Sequence, residues 1–71
     1  MKKVCGPRFY REKLGLSQQR MGEMFGISNQ AYSKKERGVT RFTRDEMIVI
    51  KLLVNREVDP NATIDDIFFK D

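Results

Sequence analysis

Apolar positions recur at helical spacing along most of the chain, and small or polar residues punctuate them. Tyr10 and Leu14 stand four apart behind Pro7, which suits a first helical turn, and Gly15 follows. This predicts a first helix from Pro7 to about Leu14. Ser17 is a good N-cap, and Met21, Met24 and Phe25 then fall three and four apart, on one face of a second helix. Gly22 lies beside that face and leaves room for a close neighbour. Gly26 stands where a helix ends in a left-handed residue, and Ile27 can plug the corner. Ser28 caps a third helix over residues 29–36, and Gly38 stops it. Thr43 with Glu46 forms a capping box for a fourth helix, which runs on to about Glu57.

The fourth helix is richer in apolar residues than one buried face requires. Met47, Ile50 and Val54 suffice to close a core, yet Ile48, Val49, Leu52 and Leu53 are apolar as well. The excess implies a second contact, from the C-terminal segment, from another subunit, or from both. Phe68 and Phe69 are the expected covering groups. Residues 55–62 read as a linker broken by Pro60. Thr63 then caps a last turn, Ile64 to Phe69, with Ile64, Ile67 and Phe68 inward.

At 71 residues the chain is expected to be one domain (1–71), with residues 1–6 a flexible arm. A chain this short buries only about 60% of its unfolded surface, so its core is small. With 39% hydrophobic and 34% charged residues, its composition is globular. The net charge of +4 hides an asymmetry. Residues 1–44 hold eleven Lys and Arg against three Glu, a balance of +8. Residues 45–71 hold three basic against seven acidic residues, a balance of −4. A basic half attracts polyanions, either nucleic acid or an anionic membrane surface. The basic residues flank turns and polar faces, whereas lipid would need a broad apolar one, so nucleic acid is favoured.

Several chemistries are excluded. There is no histidine, and Cys5 is the only cysteine, so neither a metal site nor an internal disulfide can be built. No glycine-rich phosphate loop or Gly-x-Ser-x-Gly occurs, so no cofactor, small-molecule ligand or enzymatic activity is expected. Asp65 and Asp66 are adjacent, diverge on a helix, and read as first-turn charges. No apolar run reaches the length of a membrane span, and no secretory signal is visible. The expected compartment is the cytoplasm. The sequon at 61–63 then carries no weight.

The third helix has a distinctive polar face. Asn29, Gln30, Ser33 and Lys34 cluster on it. Asn and Gln offer a donor and an acceptor side by side, which matches the adenine edge in a major groove, while Lys matches guanine. On this helix alone, a solvated face with cap-friendly residues fits equally well.

Leu14-Gly-Leu-Ser-Gln18, Gly26-Ile-Ser28 and Glu36-Arg-Gly38 resemble the helix-turn-helix of the phage repressor and Cro family, the XRE family. The resemblance covers about residues 8–54, with a weaker echo over residues 63–69. It implies an all-α fold, a compact five-helix bundle of the lambda-repressor-like type with the helix-turn-helix at helices two and three. It implies that the third helix enters the major groove, with Asn29, Gln30, Ser33 and Lys34 reading bases. It also implies that the following loop tracks the DNA backbone, with Lys35, Arg37, Arg41 and Arg44 as phosphate contacts. Gln18 and Gln19 join them, at a helix N-terminus that favours anions. Family members pair residues at the places of Arg11 and Glu36, so a structural ion pair is implied there. Two independent surface charges are the alternative. Tyr32 occupies a place often apolar in the family and is expected in the core with its hydroxyl at the rim. The linker at 55–62 is longer than family members commonly carry, which leaves dimer geometry and half-site spacing open.

The expected function is sequence-specific double-stranded DNA binding by a Cro-like or small repressor that occupies an operator. The expected partner besides DNA is a second copy, a homodimer through helix four and the C-terminal segment. An antirepressor or antitoxin binding another protein through the same fold is the alternative. A nonspecific nucleoid-type binder fits less well, because Asn29 and Gln30 sit where base readers belong.

Overall fold

Four hydroxyl side chains mark where helices begin. Ser17 Oγ accepts from the N–H of Arg20 at 3.1 Å, and Ser28 Oγ from that of Ala31 at 3.0 Å. Thr43 and Glu46 cap each other, with Thr43 N–H donating to Glu46 Oε1 at 2.8 Å and Glu46 N–H to Thr43 Oγ1 at 3.1 Å. Thr63 and Asp66 repeat the reciprocal pattern at 3.0 and 3.1 Å. Each cap satisfies backbone N–H groups that a helix start leaves unpaired. The elements that follow, in a computed structural model describing residues 6–69, are α1 (Pro7–Leu14), α2 (Gln18–Phe25), α3 (Asn29–Glu36), α4 (Arg44–Glu57) and α5 (Asp65–Phe69). No strand occurs among the described residues. The N-terminal arm with Lys2, Lys3 and Cys5 lies, except for Gly6, outside them.

Every helix contributes to one core. Tyr10 of α1, Met21 of α2, Tyr32 of α3, Ile50 and Val54 of α4, Ala62 of the segment before α5 and Ile67 of α5 are buried together. A file of aromatic rings runs through it. Phe25 stacks on Tyr32 at 6.4 Å between centroids, Phe42 meets Tyr32 edge-on at 5.9 Å, and Phe68 meets Phe42 at 5.1 Å. Phe42 belongs to the loop before α4, so that loop is anchored from inside.

The turn between α2 and α3 is set by two glycines. Gly26 adopts a left-handed φ of 71° and ends α2, while Ile27 N–H reaches back to Gly22 O at 2.9 Å. At Gly22 the turn passes so close that a Cβ would lie 2.8 Å from Ile27 O and 3.1 Å from Ser28 O. The close neighbour of Gly22 is therefore backbone.

Some expectations change. Met24 is exposed, because the buried face of α2 is centred on Met21, Gly22 and Phe25, and helical rotation carries position 24 to the rim. The linker expected at 55–62 begins inside α4, and its remainder is folded. Asn55 Nδ2 donates to Asp59 O at 3.1 Å and to Ala62 O at 2.9 Å, and Lys51 Nζ donates to Asn55 Oδ1 at 2.8 Å. The last turn is π-helical. Its wider winding buries Ile67 and points Phe68 at Phe42, which leaves Phe69 exposed. Phe69 therefore does not cover α4, and Ile48, Val49 and Leu52 remain at the surface.

Gly22→Ala should destabilise the domain by about 1–3 kcal/mol, since the atoms met are backbone and cannot rotate away. In a thermal melt that is a fall of roughly 4–8 °C per kcal/mol. An unchanged melting temperature would show the turn to be free to shift.

Candidate nucleic-acid interface

The outward face of α3 carries Asn29, Gln30 and Lys34 exposed and Ser33 half-buried. None of these four side chains has a hydrogen-bond or ion-pair partner among the described residues, so their donors and acceptors are open to solvent. Beside Asn29 lies a polar hollow of about 530 Å³, lined also by Arg8, Arg11, Ser17, Gln18 and Gln19. The hollow joins the start of α3 to the start of α2. Arg8 escaped the sequence reading. It is exposed, and its pairing with Glu12 at 3.2 Å is an ordinary surface contact of little strength. Its position one helical turn before Arg11 was the available signal.

The loop after α3 presents Arg37 and Arg41, and Arg44 opens α4. All three are exposed and have no side-chain partner among the described residues. Lys35 differs. Its Nζ donates to Arg41 O at 3.0 Å and pairs with Glu46 Oε1 at 3.1 Å, both carboxylate and ammonium largely buried. Gln18 differs too, since its Nε2 donates to Glu36 Oε1 at 3.0 Å. Both were expected at phosphates. Their donors are spent inside the protein, because each lies within reach of a largely buried carboxylate that needs satisfying. Gln19 stays exposed, with its Nε2 only 3.4 Å from Glu23 Oε2.

One ion pair holds the α2–α3 unit to α1. Arg11 Nε donates to Glu36 Oε2, and Arg11 Nη1 donates to Leu16 O at 2.8 Å. Side-chain exposure is 11% for Arg11 and 3% for Glu36, so this is a buried pair. Gln18 completes the shell around Glu36. A buried charge is tolerable only with such partners.

Tyr32 is fully buried with its hydroxyl, which corrects the expectation of a hydroxyl at the rim. Oη sits beside the Glu36 carboxylate. Burial, and then the Glu36 charge, push the phenol far above its ordinary range, so it stays neutral. For Glu46, burial works against ionisation, but the Thr43 N–H and the Lys35 ammonium outweigh it and hold the carboxyl below its ordinary value.

Among the described residues no cluster of His, Cys, Asp or Glu could hold a metal ion, and no helix is long and apolar enough to cross a membrane. A family model described as helix-turn-helix matches residues 8–50. No curated protein and no solved structure matches the chain.

Arg11→Met leaves Glu36 buried with Gln18 as its remaining side-chain donor, and should cost about 3–5 kcal/mol in urea unfolding. Replacing both residues with apolar ones should restore much of that loss. Glu46 makes a second, pH-dependent contribution. Its lowered value means stability that is present above the ordinary 4.5 and is lost as pH falls through the folded-state value. Melting curves of wild type and Glu46→Gln between pH 7 and pH 3 should therefore differ at neutral pH and converge in acid. A gap that persists at low pH would assign the effect to packing.

Proposed function

This chain belongs to the XRE family of helix-turn-helix DNA-binding regulators, the Cro/CI type, and we propose that it is a sequence-specific, Cro-like repressor acting by operator occupancy. The family is one of regulators, not of enzymes. The observation that carries the proposal is the face of α3. Asn29, Gln30, Ser33 and Lys34 project from it without internal partners, and a family recognition helix needs such free amide and ammonium groups at base edges.

Around that face the backbone contacts follow from which cations and amides stay exposed. Arg37, Arg41 and Arg44 flank one side of it. Gln19 and Arg8 flank the other, beside the free N–H groups at the start of α2. Gln18 and Lys35 serve instead to hold the two ends of the surface in register. Binding occludes the promoter, and the cytoplasm is the expected place of action. A homodimer through α4 would present two such faces to a palindromic site. The exposed Ile48, Val49 and Leu52 also favour a second reading, an antirepressor or antitoxin that binds another protein through α4.

Selection from a random DNA pool should return a defined, palindromic site. On that site Gln30→Ala should lose about 1–3 kcal/mol, with relaxed preference at one base pair and unchanged affinity for random DNA. Arg41→Ala should weaken cognate and random DNA alike and reduce the salt slope by about one. Equal losses on both DNAs from both variants would overturn the base-reading assignment. An absence of any gel shift at low salt, with a co-purifying protein, would favour the second reading.

A further inference from the structure

The outer stripe of α4 has a pattern of its own. Asp45, Val49, Leu52 and Arg56 recur at intervals of four, three and four residues, and Ile48 lies against them. That alternation is the seam along which two helices pack at a shallow angle. The apolar members are open to solvent, at 38% for Ile48, 39% for Val49 and 61% for Leu52. The ends of the stripe carry opposite charges about 16 Å apart along the helix. Asp45 has no side-chain partner among the described residues. Arg56 has only its exposed neighbour Glu57, a contact easily exchanged.

We infer that this stripe docks on the same stripe of a second copy, antiparallel, about a two-fold axis between residues 50 and 51. That axis sets Asp45 against Arg56 of the second copy, and Val49 against its Leu52. The opposite orientation would stack Asp45 on Asp45 and Arg56 on Arg56. The stripe is thus complementary to itself in one direction only, as an isologous interface requires. The inference deepens the homodimer reading above by naming the face, the direction and the register.

The test uses the free protein without DNA, by sedimentation equilibrium at concentrations up to about 1 mM. Wild type should dimerise. Asp45→Arg and Arg56→Asp should each weaken the dimer by about tenfold or more, since each sets like charges together at both ends. An equimolar mixture of the two single variants should recover association near the wild-type level, because every cross-pair is again opposite. Circular dichroism should show unchanged folding, both positions being exposed. A monomeric wild type would overturn the register and the homodimer together. A dimer indifferent to the substitutions, or a mixture that fails to recover, would overturn the register alone. Gel shifts of the same variants report on DNA binding separately.

Discussion

The fold and its exposed face both depend on the buried pairing of Arg11 with Glu36. α3 buries only Tyr32 completely, and its other apolar residue, Ala31, is half-buried. So small an apolar footprint cannot by itself fix a helix in rotation and tilt. Glu36 lies one turn after Tyr32 on the same face and supplies the missing constraint. Through Arg11 it reaches α1 and the carbonyl of Leu16, and through Gln18 the start of α2. A buried pair of this kind contributes little net stability against apolar replacements of the same volume. Its value is directional, since displacement of α3 would strand a carboxylate away from water.

A second polar junction does the same work beside it, at the same C-terminal end of α3 but facing α4. Lys35 grips the carbonyl of Arg41 and the carboxylate of Glu46, which also caps α4. Phe42 is wedged below, between Tyr32 and Phe68. The loop between α3 and α4 is therefore held from both sides while Arg37, Arg41 and Arg44 extend outward. Cations that touch a phosphate lattice bind best when they are already in place, because little ordering entropy remains to be lost. The division of labour is plain: buried charges set geometry, while Arg37, Arg41 and Arg44 stay open to solvent.

Much of this was legible in the sequence, where a residue type has one dominant local use. Ser17, Ser28 and Thr43 announced helix starts, and Gly26 announced a left-handed end. The outward placement of Asn29, Gln30 and Lys34 followed from helical rotation once those caps were set. What could not be read was partner choice. Lys35 and Gln18 have side chains suited to phosphate, and only the three-dimensional approach of Glu46 and Glu36 diverts them. Phe42 stands alone in a loop, where no period betrays a core residue. Met24 has apolar spacing, but the close approach at Gly22 decides which way α2 is turned. The inward turn of Phe68 was readable from its spacing, but the exposure of Phe69, expected as a second covering group, was not.

The three helices that form and brace the exposed face are eight residues each. An isolated helix of that length does not persist in water, because nucleation costs more than so few hydrogen bonds return. The recognition surface therefore has no existence apart from the closed core. Its shape is an all-or-none property of the cooperative unit, present in full or absent, with no partly competent state between.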